Sequence, residues 1–457
     1  MRTEPSWQLY RGGNLLAARW DTLSRTTPSL TAASLDGVEH IFETRLNSGI
    51  HVLSEYMPSV RSAAVGVWVR QGSAHESDSE SGVSHLLEHM VFKGTEKRSA
   101  SEIALSLESL GGFLDAYTTR EHTSYQARVL DEHLEQALDV LADLTLAPLL
   151  SDNDLELERE VILEEIAQVQ DTPDDLVFEM HSDQLWQGHP YGQSILGTKA
   201  SVSKLSSDKL RQLHQRTYRG KNLIVAAVGN LRHEELVEAV SRLFPTHSSD
   251  VDASSLVVEP EGIKHGHEFV ARTSAQTQIV FGTNVPGHCH PDRYPLALLS
   301  SALGGGMSSR LFQKIREEMG LCYSIYTYQS FYSVAGLSGI YVATRPTTAQ
   351  AAVEAISTEL STLAVSGLTS EELDKTKRQV KGQVMLSLES PGSRLHRLAS
   401  FALHEEPFIG LDGVLEKIDA VSFEEIQRVA EMYYSPDRYF VLRLGPDTTK
   451  KQHFSKN

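Results

Sequence analysis

Two histidines and a glutamate stand close together in the segment HLLEH, at His85, Glu88 and His89. On a helix, positions i, i+3 and i+4 share one face, so both imidazoles and the carboxylate point to the same side. Leu86 and Leu87 then turn towards a core. Two neutral imidazoles suit Zn²⁺, and the carboxylate between them can act as a base towards a water that the metal activates. Histidines on helices are often merely solvated or packed, so the pattern needs a third ligand in support.

A long acidic stretch, residues 152–169, is predicted to form a second helix and to supply that ligand. Its apolar residues recur at helical spacing and form the predicted buried stripe: Leu155, Ile162, Ile166 and Val169. Glu158 and Glu165 lie seven positions apart, two turns along one face, and can reach into the same cavity. Spacing alone leaves open which glutamate binds the metal, and most glutamates of this helix are expected to be solvated.

The sequence HLLEHMVFKGT followed by EREVILEEI resembles the pitrilysin-type family of inverzincin zinc metallopeptidases. The resemblance is closest to the branch that contains the mitochondrial processing peptidases and their bacterial relatives. It implies that Glu165 is the third metal ligand beside His85 and His89, with one Zn²⁺ per chain. It also places on Glu158 the acidic residue that orients the ligands, a role expected because such contacts fix the histidine tautomer.

Composition excludes several classes of protein. The chain has 457 residues, a net charge of −18 and no apolar run of the roughly 18–20 residues that a membrane span needs. The negative charge argues against nucleic-acid binding. With only Cys289 and Cys322, no disulfide framework is expected, and a reducing compartment, the bacterial cytoplasm, is predicted. Residues 1–38 lack the apolar core of a secretory signal and are predicted to be a tail; their Arg and Ser/Thr content leaves a mitochondrial matrix protein as the alternative.

The chain repeats itself on either side of a Ser- and Asp-rich stretch, residues 246–266, which is interpreted as a linker. Residues 205–230 and 421–446 share a pattern at an offset of 216: a helix, a turn, then an apolar strand that ends at Gly. The prediction is two homologous domains, 39–245 with the zinc site and 267–457 without it.

The second copy has lost the chemistry of the first. At an offset of 212, HLLEH becomes Ala297-Leu298-Leu299-Ser300-Ser301, in which the leucines persist and the metal-binding groups are gone. At an offset of 218, Glu165 falls near Gln383. A duplicate released from catalysis can still form a wall of a substrate chamber.

Strand and helix patterns alternate in both halves, and they favour an α+β fold in which helices pack on a largely antiparallel sheet. The strand order, and the assembly of the two domains into half of a clamshell-like chamber, come from the family resemblance.

Two segments are candidates for substrate binding. Residues 111–129 alternate like an exposed strand after a Gly-Gly turn, and such an edge can pair with an extended peptide. The resemblance places a substrate-binding edge strand here, with Asp115 and the adjacent Ala116 as contacts; an ordinary sheet strand is the alternative. In the second half it assigns Arg316 to hold a peptide carbonyl or carboxylate, and Tyr323 to stabilise the oxyanion.

The predicted function is zinc-dependent endopeptidase activity on unfolded or presequence-like peptides, with Glu88 and Tyr323 as catalytic residues. The family builds chambers from four such domains, so this chain is expected to form a homodimer. Two alternatives remain: a catalytic subunit that forms a heterodimer in a mitochondrial processing peptidase, and a non-catalytic core subunit of a larger complex.

Overall fold

The computed structural model describes residues 40–245 and 257–447. The predicted tail, 1–38, lies outside the described residues, as does much of the predicted linker. The described chain forms two α+β halves, each built on one sheet, and this confirms the predicted fold class. In the described ranges, no helix combines the length and the apolar character needed to cross a bilayer.

The first half contains six strands and eight helices in the described range. Its strands are β1 His40–Arg45, β2 His51–Tyr56, β3 Ser62–Val69, β4 Phe113–Thr118, β5 Thr123–Leu130 and β6 Leu223–Gly229. Its helices are α1 Val83–Val91, α2 Ala100–Glu108, α3 Leu134–Leu146, α4 Asp152–Asp171, α5 Pro173–Leu185, α6 Lys199–Val202, α7 Ser207–Thr217 and α8 His233–Leu243.

The second half contains five strands and six α-helices in the described range. Its strands are β7 Gly266–Ala271, β8 Thr277–Pro286, β9 Cys322–Phe331, β10 Ala335–Thr344 and β11 Phe440–Gly445. Its helices are α9 Arg293–Gly304, α10 Ala349–Ser366, α11 Ser370–Ser387, α12 Pro391–Leu403, α13 Leu411–Ala420 and α14 Phe423–Tyr433, and a π-helical segment spans Phe312–Glu318.

The two sheets follow the same path. The first has the order β1-β2-β6-β3-β5-β4, and the second has the order β7-β11-β8-β10-β9. If β1 is left out, the five strands of each sheet are numbered one to five along the chain and lie side by side in the order one, five, two, four, three. In each sheet strands one and five are parallel, and the other neighbouring strands are antiparallel. Identical topology is what a duplicated domain produces.

The pattern that indicated the duplication lies at equivalent places in the two sheets. Helices α7 and α14, which begin 216 positions apart, each lead through a short turn into β6 and β11. The segment HLLEH lies in α1, and its counterpart ALLSS lies in α9, where Leu298 and Leu299 are as buried as Leu86 and Leu87. The apolar pattern is kept in both copies because both helices pack on a sheet.

Each sheet is covered on one face by a helix from the other half. Helix α12 packs Leu395, Leu398 and Ala402 against Trp68 and Ile224 of the first sheet. Helix α5 packs on β8 and β11 of the second sheet. The two helices begin 218 positions apart, and each has proline at its first position, so they are equivalent elements that the halves exchange.

Polar contacts reinforce this exchange. The Arg70 guanidinium donates to the carbonyls of Ala402 and Leu403, the last residues of α12, at 2.5 Å each. Arg394 of α12 forms an ion pair with the buried carboxylate of Glu55 on β2. A cation at a helix C-terminus interacts favourably with its unpaired carbonyls. The first half therefore fixes the end of a helix that the second half supplies.

The segment predicted as one alternating strand, residues 111–129, is a hairpin instead. Strands β4 and β5 pair from Phe113↔Arg128 to Thr118↔Thr123. Between them, Thr119 Oγ1 accepts the backbone N–H groups of Glu121 and His122 at 3.2 and 3.0 Å. This local hydroxyl–backbone turn reverses the chain without the Gly or Pro that usually marks a turn.

The exchanged helix gives a stability prediction. Leu398 is fully buried between α12 and the first sheet, so Leu398→Ala is expected to lower the free energy of unfolding by about 2–5 kcal/mol. Urea unfolding of the full chain measures this. The control is Leu386→Ala on α11, where the leucine is 60% exposed and the change should stay within about 0.5 kcal/mol. A loss below about 1 kcal/mol at Leu398 would show that the α12 contact contributes little to stability.

Candidate metal centre

The helix α1 is anchored by a carboxylate from outside it. Its N-cap is Gly82, in the left-handed region at φ 91°, which has no side chain to cap the helix. Glu76 takes that place: its two carboxylate oxygens accept the N–H groups of Gly82 and Ser84 at 2.7 Å each. Burial raises the pKa of Glu76 to about 7, against the effect of these hydrogen bonds. The helix start is thereby fixed three residues before His85.

The helix α4 lies against α1 and presents two glutamates to it. Ser151 caps its first turn by accepting the N–H of Asp154. The predicted apolar stripe is buried at Leu155, Ile162 and Ile166, whereas Val169 is only half-buried. The three buried residues fix the rotation of the helix. Glu158 and Glu165 consequently face α1.

Three side chains converge between these helices. Glu165 Oε2 lies 3.8 Å from His85 Nε2 and 3.8 Å from His89 Nε2, and the three ligand atoms lie within 4.8 Å of one another. In the described ranges, no other group of three His, Cys, Asp or Glu side chains converges in this way. The ligand atoms of a tetrahedral zinc site, at about 2.0–2.2 Å from the metal, stand about 3.4 Å apart. The arrangement therefore fits Zn²⁺ with a small contraction.

The protonation of the group also fits a metal. Burial lowers the pKa of His85 to about 3, with the neighbouring His89 as a second cause, so this imidazole is neutral at pH 7. Its Nδ1 is buried and has no hydrogen-bond partner among the described residues. Burial raises the pKa of Glu165, while the proximity of His89 opposes that shift. A neutral imidazole and a carboxylate that burial disfavours as a bare charge belong to a donor set that a divalent cation stabilises.

A second carboxylate fixes the orientation of His89. Glu158 is 6% exposed, and its Oε2 lies 3.1 Å from His89 Nδ1. Its other oxygen, Oε1, lies 2.5 Å from the ammonium of Lys93, two residues after the end of α1. A proton on Nδ1 makes Nε2 the lone-pair nitrogen, and Nε2 is the atom that faces Glu165.

Glu88 lies on the same face of α1 and is 9% exposed. Its Oε2 accepts a hydrogen bond from Thr118 Oγ1 at 2.6 Å. Burial raises the pKa of Glu88 to about 7, partly opposed by that hydrogen bond and by the nearby His89. A carboxyl with a pKa near neutrality both takes up and returns a proton at pH 7.

The two residues expected from the second half lie together, but apart from this group. The Arg316 guanidinium stacks 4.8 Å from the ring of Tyr323 and 4.5 Å from that of Phe312. Tyr323 is 79% exposed. Among the hydrogen bonds, ion pairs and ring contacts of the described residues, none joins either of them to His85, His89, Glu88 or Glu165. Their assignment to the active site stays a prediction.

The predicted substrate-binding residues lie on β4, the edge strand of the first sheet. Thr119 N–H bonds to His122 O, so alternation directs the backbone groups of residues 113, 115 and 117 to β5 and those of 114, 116 and 118 to the free edge. Asp115 is exposed, and its Oδ1 accepts the Ala116 N–H at 3.0 Å. A carboxylate oxygen thus occupies the position that a carbonyl of a pairing peptide would take.

Sequence reasoning missed three residues of this site: Glu76, Lys93 and Thr118. Lys93 lies in the turn after α1, which ends at Val91, so helical spacing from His89 does not place it. Glu76 lies in an irregular loop just before the helix that it caps, and Thr118 lies on a strand 30 positions after Glu88, so helical periodicity points to neither.

Comparison with known families gives two matches that divide the chain. The family model described as Insulinase (Peptidase family M16) matches residues 51–199, and the model described as Peptidase M16 inactive domain matches residues 204–380. The first includes all of α1 and α4. The second includes the altered segment ALLSS.

Similar proteins from bacteria cover most of the chain. A protein of Mycobacterium leprae named as an uncharacterized zinc protease is 37% identical over 90% of this chain and 93% of its own. The uncharacterized zinc protease YmxG of Bacillus subtilis is 37% identical over 87% of this chain and 97% of its own. A crystal structure titled as a peptidase M16 inactive domain from Pseudomonas fluorescens has a TM-score of 0.84 at 20% identity, over 89% of this chain and 98% of that one. A protease from Helicobacter pylori has a TM-score of 0.83 at 22% identity, over 89% and 100%. At these identities the two structures support the fold.

The contact between Glu158 and His89 gives a prediction about metal affinity. Glu158→Gln keeps an oxygen that can accept the Nδ1 proton but removes the charge, so zinc affinity is expected to fall about 10- to 100-fold. Titration against a competing chelator measures the dissociation constant. Glu160→Gln, an exposed glutamate of the same helix, is the matched control and should bind zinc like the unmodified protein. Equal affinities for all three proteins would contradict the orienting role of Glu158.

Proposed function

This chain belongs to the insulinase-type peptidase family M16, and from that premise we propose that it is a zinc endopeptidase acting on unfolded or presequence-like peptides. The observation that carries the proposal is the convergence of His85, His89 and Glu165 beside Glu88. In the proposed site these three residues hold one Zn²⁺ per chain, and Glu158 orients His89. When bound there, zinc would act as a Lewis acid that polarises the scissile carbonyl and would lower the pKa of the attacking water.

Glu88 is the proposed general base and acid. It takes a proton from the water that attacks the scissile carbonyl, and it returns that proton to the departing amine when the C–N bond breaks. A pKa raised by burial supports both steps, because the carboxylate is basic enough to accept the proton and acidic enough to release it. Glu88 lies on α1 between the two histidines, so its carboxylate is next to the place where the scissile carbonyl would be bound.

The free edge of β4 is the proposed binding site for the extended peptide. Three consecutive outward-facing backbone positions, residues 114, 116 and 118, end beside the carboxylate of Glu88. A peptide that pairs with Ala116 displaces the Asp115 carboxylate from the Ala116 N–H. The peptide then binds by β-augmentation, in which main-chain hydrogen bonds give affinity that depends little on the peptide's sequence.

Arg316 and Tyr323 are proposed to complete the site from the second half. Arg316 binds a peptide carbonyl or carboxylate, and Tyr323 donates its phenol proton to the oxyanion. The exposure of Tyr323 supports this role, since its hydroxyl has no competing partner among the described residues.

The proposed location is the bacterial cytoplasm. The relatives named above are bacterial, and Cys289 and Cys322 form no disulfide, which suits a reducing compartment.

The mechanism is tested with Glu88→Gln. The amide cannot accept the proton, so hydrolysis is expected to fall at least about 100-fold while the protein still binds one zinc per chain, because all three ligands remain. Cleavage of a diverse peptide mixture, mapped by mass spectrometry, gives the activity and the cleavage rule. Metal analysis gives the zinc content, and Glu160→Gln is the active control. Near-normal turnover of Glu88→Gln would eliminate this mechanism.

The assembly proposed is a homodimer. The four-domain chamber that the family resemblance implies needs two chains of two domains each, and this chain carries both the metal-binding group and the Arg316–Tyr323 pair. Sedimentation at the concentration of the activity assay is expected to show a dimer. An active monomer would contradict the proposal, and activity that appears only with a second, different subunit would favour the heteromeric alternative.

A further inference from the structure

Thr118 ends the edge strand β4, and its side chain is almost fully buried against α1. Its Oγ1 donates to Glu88 Oε2 at 2.6 Å. We propose that Thr118 is a positioning residue for the general base: its hydroxyl fixes the Glu88 carboxylate relative to a peptide bound on β4. This inference rests on the endopeptidase function proposed above.

The surrounding hydrogen bonds give the Thr118 hydroxyl one direction. Its other polar neighbour is Thr123 Oγ1, at 3.4 Å across the hairpin, and Thr123 donates its own proton to the carbonyl oxygen of Gln71 at 2.8 Å. A carboxylate only accepts hydrogen bonds, whereas a hydroxyl has one proton to donate. The proton of Thr118 is therefore directed to Glu88, which is the closer acceptor by 0.8 Å.

One anchored oxygen leaves the other available for chemistry. A glutamate has a broad preference for the rotation of its terminal carboxylate, so a free Glu88 would sample many orientations. The bond to Oε2 removes that freedom and leaves Oε1 as the oxygen without a recorded partner among the described residues. A group held in a productive orientation reacts faster because the entropy of ordering it is lost before the reaction step.

The position of Thr118 in the hairpin joins this anchor to the peptide. Its backbone lies at one of the three positions that face the free edge of β4, while its side chain points to α1. The strand that pairs with the peptide therefore also holds the base. A shift of β4 moves both together, so the distance between the base and the scissile bond depends on one strand rather than on the packing of α1 alone.

The experiment compares Thr118→Val, which removes the hydroxyl and keeps the branched shape, with Thr118→Ser, which keeps the hydroxyl. For Thr118→Val, kcat is expected to fall about 10- to 100-fold, the effect of one hydrogen bond to a charged group, with KM changed less than about threefold. For Thr118→Ser, kcat should lie within about threefold of the unmodified enzyme, since the donor is restored. Zinc affinity should be the same in all three, because Thr118 contacts no ligand.

Two controls separate positioning from general destabilisation. Thr217→Val removes a fully buried hydroxyl from α7 in the same half; it should change the melting temperature and leave kcat alone. In a Glu88→Gln background, adding Thr118→Val should reduce the residual rate no further, because Thr118 acts through Glu88.

The proposal is overturned if Thr118→Val keeps normal kcat, if the serine variant is as slow as the valine variant, or if the two effects multiply in the double variant. A failure of the endopeptidase function itself looks different. In that case the unmodified zinc-loaded protein cleaves no peptide, or Glu88→Gln is as active as it is.

Discussion

Convergence of two helices that are far apart in sequence is the constraint on which the site depends. Helix α1 brings His85, Glu88 and His89, and α4 brings Glu165, with 76 positions between the last histidine and that glutamate. The apolar side of each helix packs into the core and fixes the orientation of the helix about its axis. The contacts of Glu158 with His89 and Lys93 link the polar sides of the two helices. Two imidazoles and two buried carboxylates can share so small a space when a divalent cation compensates the cost of their burial.

Duplication explains how the rest of the molecule is built around that site. The two sheets have the same strand path, and each half lends its equivalent helix, α5 or α12, to the other half's sheet. A half on its own would expose an apolar sheet face, including Trp68 in the first half. This exchange makes the two halves depend on each other for stability. The half without metal ligands is therefore needed for the fold, and it is also a candidate wall of the substrate chamber.

Three buried carboxylates surround α1. Glu76 at its N-terminus, Glu88 in its middle and Glu158 near its end are each less than a tenth exposed, and each is satisfied by hydrogen bonds or a counter-charge. Such groups are costly when unpaired, and the contacts that they make here hold α1 in one position. The rigidity that a metal site and a general base require therefore comes from polar contacts as much as from the leucines of the core.

The sequence by itself determined the fold class, the duplication and the identity of the groups that meet in the metal centre. It could do so because helical periodicity places His85, Glu88 and His89 on one face, and because Leu298 and Leu299 preserve the packing pattern after the chemistry is lost. Spacing left Glu158 and Glu165 equivalent; the structure separated them, since only Glu165 reaches both histidines while Glu158 reaches Nδ1 of one. The exchange of α5 and α12 and the contact of Thr118 with Glu88 were decided by tertiary structure alone, because they depend on partners distant along the chain, which local periodicity does not encode. The turn at residues 119–122 and the contacts of Glu76 are local, but they lie in irregular backbone that the periodicity of helices and strands does not predict.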